Sequence, residues 1–209
     1  MNEAKDDTWW LELISVAYKS GLRRGEILNL TWADVNFENQ QIRIAPKKET
    51  ETTLEWEPKD HENRILPVPD EAMQLLADLQ VDTEEEIPYV FLPTWRWRHI
   101  QLMRSEGLWK KSQDLINNFG RNFHKLRNRA GVAECTLHDL RRSCITNWAK
   151  VLPAYVVQKL AGHSDIKTTQ KYYLAVQESD LEMARRAQSQ ILKSNLTDPK
   201  LTHFGRKTA

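Results

Sequence analysis

The chain has 209 residues, 40% hydrophobic and 28% charged, enough for one large domain or two small ones with a substantial core. No apolar run reaches the ~20 residues a membrane span needs, and the polar start Met1-Asn-Glu-Ala-Lys-Asp-Asp7 lacks the basic and apolar regions of a secretory leader, so a cytoplasmic protein is expected. The two cysteines, Cys135 and Cys144, fit a reducing compartment rather than a disulfide framework.

The net charge of +1 hides a polarity: residues 49–89 carry 2 Lys or Arg against 13 Asp or Glu, and residues 90–173 carry 15 against 5. A polyanion would be drawn to the second stretch. In chain order, Thr8 can cap a helix whose Trp9, Trp10, Leu13, Ile14, Ala17 and Tyr18 share one face, and Gly21 ends it. A second helix starts near Arg24 and carries Glu26, Ile27 and Leu30, which leaves Arg23 at the turn. From Gln41 the spacing alternates. Ile42 and Ile44, Leu54 and Trp56, then Ile65 and Leu66 before Pro67 predict a small three-stranded antiparallel sheet, with a long first connection rich in Glu and Thr.

Asp70 opens a helix through Met73, Leu75, Leu76 and Leu79, an acidic connector follows, and Tyr89-Val-Phe-Leu92 reads as a short extended segment. Aromatic and basic residues interleave from Thr94 to Arg104. That mix suits sugar and phosphate contact by Arg96 and Arg98, and equally the packing of Trp95 and Trp97. Ser112 is expected to start a helix that ends at Gly131, with Leu115, Ile116, Phe119, Phe123 and Leu126 inward and a basic end of Lys125, Arg127 and Arg129.

The chemistry concentrates between Thr136 and Tyr173. Thr136 signals a helix start and Asp139, three residues on, can complete the cap, so His138 and Arg141 lie one turn apart on the same face. A helix N-terminus bearing an imidazole and a guanidinium is suited to a phosphate. Pro153 begins another helix, with Tyr155, Val156 and Leu160 as its buried face, and Gly162 stops it just before His163. A short helix should then present Tyr172, and Ser179 or Asp180 caps a last amphipathic helix. Two histidines, an arginine and a tyrosine in this arrangement suggest phosphoryl transfer through a covalent phosphotyrosine. Cys135-x-x-His138 is a weak zinc cue with no second ligand pair behind it.

Four stretches, Gly21-Leu-Arg23-Arg-Gly-Glu26, His138-Asp-Leu-Arg141, Leu160-Ala-Gly-His163 and Thr168-Thr-Gln-Lys-Tyr172, closely resemble the ordered motifs of the tyrosine recombinases, the family of phage integrases and Xer recombinases. The resemblance implies a mainly α domain with a small antiparallel β-sheet (α+β), the tyrosine recombinase catalytic-domain fold. It implies site-specific DNA strand exchange through a 3′-phosphotyrosyl link, with no nucleotide or metal cofactor. Arg23 and Arg141 would clamp the scissile phosphate, His138 and His163 would add hydrogen bonds, and Tyr172 would be the nucleophile. Lys59, in the hairpin ahead of Arg64-Ile-Leu-Pro67, takes the place of the general acid, with Lys47 and Lys48 as alternatives.

Further DNA contacts are expected from Arg96, Arg98, Arg127, Arg129, Arg142 and Lys167. Residues 1–178 would form the catalytic domain, 179–195 a helix able to dock on a neighbouring protomer, and 196–209 a disordered tail; the family's N-terminal DNA-clamp domain would be absent. Double-stranded DNA is the implied partner, with a tetramer on DNA, a monomer when free, and association with the nucleoid. Three alternatives stay open: a DNA-binding regulator of the same fold without the reaction, strand relaxation of the type IB topoisomerase kind, and a metal-dependent hydrolase using His138, Asp139 and His163.

Overall fold

A computed structural model describes residues 3–59, 63–84, 86–110, 114–173 and 182–190. The architecture is mainly helical with one small antiparallel sheet. Helix α1 (Glu3–Ser20) starts five residues before the cap expected at Thr8. The sequence before Thr8 contains neither Gly nor Pro to stop a helix. Trp10, Leu13, Val16 and Ala17 are buried, against α3 (Asp70–Asp82) and α6 (Leu137–Ala149). Helix α2 (Arg24–Leu28) follows after the turn at Gly21.

The sheet differs from the one expected. Its strands are β1 (Val35–Asn36), β2 (Gln41–Ile44) and β3 (Arg64–Pro67), in the order β1-β2-β3, all antiparallel. The Leu54-Trp56 segment contributes one bridge only, Lys47 with Trp56. Its residues serve a different surface: Leu54 is buried in a second core with Tyr89, Trp97 and Leu115, and its N–H donates to the Tyr89 hydroxyl at 2.8 Å. Arg104 holds the loop tip by donating to the carbonyls of Thr50 (2.6 Å) and Glu51 (2.8 Å). A strand at this position would have needed a ladder, and beyond the paired Lys47 and Trp56 the loop's backbone groups bond within its own tip, to α4 (Thr94–Ser105) and to Tyr89.

Helix α4 turns Arg96, Trp97 and Ile100 inward and Trp95 and Arg98 outward, a split set by helical phase rather than by residue type. The expected helix from Ser112 is shorter. Residue 112 lies outside the described residues, and α5 (Phe119–Arg129) begins only after Asn118, which sits in the left-handed region at φ 56°. Helix α7 (Ala154–Ala161) buries Val157 and Ala161 against Ile145, so Tyr155, expected inside, is 72% exposed. Helix α8 (Ile166–Gln170) leads to Tyr172. Of the expected last helix, residues 182–190 are helical and mostly exposed; its cap at Ser179 or Asp180, its apolar positions Leu181, Ile191 and Leu192, and the tail at 196–209 lie outside the described residues.

Gly21 fixes how α1 meets α6. Its φ is +63°, and a Cβ there would stand 2.9 Å from a ring carbon of Trp148 and 3.2 Å from Cys144 Sγ. Burial also pushes the Cys144 thiol up to about 12, so it acts as an apolar filler beneath the turn. Gly21→Ala therefore meets both a left-handed backbone and a steric clash, and a loss of about 2–4 kcal/mol is expected in urea unfolding; a change within 0.5 kcal/mol would contradict this account of the turn.

Candidate active site

Helix α7 ends at Gly162, whose φ of +60° permits the reversal. Its last carbonyls are each taken by a different guanidinium. Arg64 Nε donates to the Leu160 carbonyl (3.0 Å), Arg141 Nη2 to that of Ala161 (2.5 Å), and Arg23 Nη2 to that of Gly162. Three cations thus sit at the negative end of one helix, where the macrodipole favours them. Arg141 also donates to the Gly21 carbonyl at 2.6 Å, tying α6 to the turn after α1.

Glu26 supplies the counter-charge. Its carboxylate accepts two hydrogen bonds from Arg64 (2.8 and 2.7 Å), one from the Arg23 N–H (2.7 Å) and one from Arg23 Nη1 (3.1 Å). The Glu26 and Arg64 side chains are only 1% and 3% exposed. Burial works to raise the Glu26 pKa, and the bonds from Arg64 and Arg23 outweigh it, so the net direction is down. Two guanidiniums bond this one carboxylate while Arg141 feels its charge from farther off, and the Arg23 side chain keeps 19% of its surface open. Desolvation, with Arg23 nearby, lowers the Arg141 pKa to about 10, which leaves it cationic at neutral pH.

The Thr136–Asp139 cap forms as the spacing predicts: Asp139 Oδ2 accepts from the Thr136 N–H at 2.9 Å and from its hydroxyl at 2.7 Å. These bonds hold the Asp139 pKa down and set His138 on the exposed first turn of α6. His163 lies just past Gly162, and its ring is stacked on Tyr172 with centroids 6.2 Å apart and 14° between planes. Burial pushes the His163 pKa down to about 4, and Arg141, Arg23, Arg64 and His138 act in the same direction, so the ring is neutral at physiological pH. The two tyrosines differ. Tyr173 donates its hydroxyl to the Leu152 carbonyl at 2.6 Å, whereas half-buried Tyr172 is near enough to Arg141 to affect its titration.

The fold thus brings together Arg23, Arg141, His163 and Tyr172, with His138 near His163. Lys59 is not drawn in by any described contact; its side chain is exposed. Lys47 pairs with Asp34 at 2.6 Å and lies 5.2 Å from the Trp56 ring centroid. The indole nitrogen of Trp56 is in turn 3.9 Å from the position of a Cβ on Gly25, two residues after Arg23. Of the expected DNA contacts, Arg96 is a correction. It is 4% exposed and donates to the carbonyls of Leu115 (2.7 Å) and Asp114 (3.2 Å) and to Asn117 Oδ1 (3.1 Å), which makes it a brace between α4 and the approach to α5.

Arg98 and Arg142 are exposed and paired with Glu84 (2.8 Å) and Asp139 (3.5 Å), and Arg127 is half-buried beside Glu134 (3.5 Å); Arg129 and Lys167 are exposed. Among the described residues no three His, Cys, Asp or Glu side chains converge as a metal site requires, so neither the Cys135-x-x-His138 cue nor His138, Asp139 and His163 gathers a ligand set. Among those residues, too, no helix is long and apolar enough to cross a membrane. The Glu26–Arg64 pair was not among the expected site residues. Its signal is present: Arg64 shares the inward parity of Leu66 in β3, where a charge needs a buried partner, while Ile65 points outward.

The helical domain thus holds Arg23, Arg141, His163 and Tyr172 at one helix end. The model of the Phage integrase family matches residues 1–179, and the chain belongs to that family, as a tyrosine recombinase/integrase catalytic-domain homologue. It is 27% identical over 182 residues to a XerC-like tyrosine recombinase of Caldanaerobacter subterraneus subsp. tengcongensis, covering 78% of this chain and 45% of that protein. It is 24% identical over 161 residues to the tyrosine recombinase XerA of Pyrococcus furiosus, covering 77% and 48%. The chain therefore spans about half the length of these relatives.

The fold matches the crystal structure of XerA recombinase with a TM-score of 0.59 at 22% identity, over 88% of this chain and 60% of that one. It also matches the Tn1549 transposon integrase, solved in complex with circular intermediate DNA, with a TM-score of 0.62 at 19% identity, over 90% and 66%.

Because Glu26 is the buried counter-charge, Glu26→Gln should cost about 3–5 kcal/mol, and the double variant with Arg64→Met should recover part of that loss. The lowered pKa of Glu26 implies stability that is present above the ordinary value of 4.5 and lost as pH falls through the folded value. Urea unfolding from pH 7 to pH 3 should thus show a shallower acid loss for Glu26→Gln than for the parent; parallel curves would count against the pair.

Proposed function

We propose that the chain is the catalytic part of a site-specific DNA recombinase or integrase that cleaves and rejoins strands through a 3′-phosphotyrosyl intermediate. One observation carries the reading: Tyr172 stands against His163 at the helix end where Arg23 and Arg141 are held, while Tyr173 spends its hydroxyl on a carbonyl. A phenol of ordinary pKa near ~10 is a weak nucleophile at neutral pH, so such a site has to stabilise both the phenolate and the charge gathering on phosphorus.

In the proposed step Tyr172 Oη attacks phosphorus and the bond to the 5′-oxygen breaks. Arg23 and Arg141 face the non-bridging oxygens, His163 donates to one of them, and His138 accepts the phenolic proton. A lysine protonates the leaving 5′-oxygen, and a 5′-hydroxyl from another strand reverses the step. The phosphodiester energy is kept in the tyrosyl link, so no nucleotide or metal is called for.

Double-stranded DNA is the proposed partner, met by Arg98, Arg127, Arg129, Arg142 and Lys167, with a tetramer on DNA, a monomer when free, and action at the nucleoid. Partner DNA would displace the exposed pairs of Arg98 and Arg142, which are worth little in water. For the leaving-group proton, Lys59 is the assignment from the resemblance. Lys47 has geometry in its favour, through Trp56 to the start of α2, and would have to leave Asp34 to act.

Tyr172→Phe should abolish covalent adducts on a nicked suicide substrate and Tyr173→Phe should retain them; adducts from Tyr172→Phe would end the assignment. On a substrate with sulfur at the 5′-bridging position the leaving group needs no proton, so the lysine variant that is rescued there identifies the acid. Rescue of Lys47→Ala alone would move the role from Lys59 to Lys47, and rescue of neither variant would remove both.

A further inference from the structure

Thr169 is fully buried, and its hydroxyl lies 2.9 Å from His163 Nδ1. A hydroxyl carries one hydrogen to donate and lone pairs to accept. Other hydroxyls on helices here donate backwards along the chain: Thr146 to the Arg142 carbonyl at 2.8 Å and Ser143 to the Asp139 carbonyl at 3.0 Å. Thr169 does not do so. Among the described residues His163 Nδ1 is the only hydrogen-bond partner of this hydroxyl. Were Nδ1 protonated, the buried Thr169 hydroxyl would have a hydrogen with no acceptor. The arrangement closes only if Thr169 donates and Nδ1 accepts, which places the proton of the neutral ring on Nε2.

We propose that Thr169 is a positioning residue that fixes the tautomer and plane of His163, so that Nε2–H is the donor offered to an oxyanion held by Arg23 and Arg141. This rests on the strand-transfer reading above and names how one of its histidines is made ready. Thr169 also accepts the Tyr172 N–H on its carbonyl at 3.0 Å, so one residue of α8 orients both the histidine side chain and the backbone of the tyrosine. The main-chain oxygen of His163 is held separately by Gln158 Nε2 at 3.1 Å, which leaves ring orientation to Thr169 and to stacking on Tyr172. The groups bearing on the ring's charge are Arg141, Arg23 and Arg64 with His138 and Tyr172; all the cations disfavour the imidazolium, consistent with a neutral donor.

The test uses the full chain with ¹⁵N-labelled histidine. The parent protein at pH 7 should show a pyridine-type Nδ1 and a pyrrole-type Nε2 for His163; a protonated Nδ1 would overturn the proposal whatever the variants do. Thr169→Val, nearly isosteric, should give mixed tautomers, and Thr169→Ser should restore the parent pattern. In single-turnover adduct formation on a nicked DNA substrate, Thr169→Val should be slower by at least about tenfold with unchanged DNA affinity, and Thr169→Ser should recover.

The acid limb of the pH–rate profile should also move toward neutrality in Thr169→Val, because the bond that favours the neutral ring is gone; a loss through misfolding would lower the rate equally at every pH. An unchanged tautomer and rate in Thr169→Val would overturn the role. Failure of the parent to form any adduct would overturn the strand-transfer reading instead, and the NMR result would still decide the tautomer.

Discussion

The Glu26 carboxylate, shut among buried guanidiniums, is the interaction on which the rest depends. Isolated, a charge so deeply buried would be untenable, and so would Arg64 or Arg141 alone. Together they offset one another, and the surplus of positive charge turns toward the open side at Arg23. The helix end contributes as well, since the carbonyls of Leu160, Ala161 and Gly162 would be orphans without these donors. The gathering of these cations and the capping of the helix are here the same set of hydrogen bonds. An arrangement that must hold cations close together in an apolar setting has found its acceptors in the backbone.

Much of this was legible in the residues because local chemistry dictates it. Thr136 with Asp139, Gly162 before His163 and Asp70 at a helix start act within a turn, and each appears where the spacing puts it. What escaped depends on partners far along the chain. Leu54 and Trp56 alternate like a strand, yet their neighbours are Tyr89 and Lys47, not a ladder. Arg96 reads as a surface cation because nothing near it in sequence says that the carbonyls of Asp114 and Leu115 await it. Two-residue β1 is too short for any periodicity to show.

The charge polarity of the sequence has a partly internal explanation. Glu84 pairs with Arg98 and Glu49 with Arg104, so acidic residues of the first stretch neutralise basic residues of the second. The attraction to a polyanion is correspondingly smaller than the segment totals suggest, and it is concentrated on α5 to α8. That is also where Tyr172 lies, which aligns the long-range field with the chemistry.

The bonds around α7 join residues 139, 120 and 96 positions apart: Arg23 to Gly162, Arg141 to Gly21, and Arg64 to Leu160. Such distant pairings form late, because the chain must close long loops before they are rewarded. During synthesis Arg23 and Arg64 leave the ribosome well before the helix end they clamp exists. A nascent or partly unfolded chain thus holds the arginines and the tyrosine without the geometry that joins them. The strand-transfer chemistry proposed above would thereby be tied to completion of the fold.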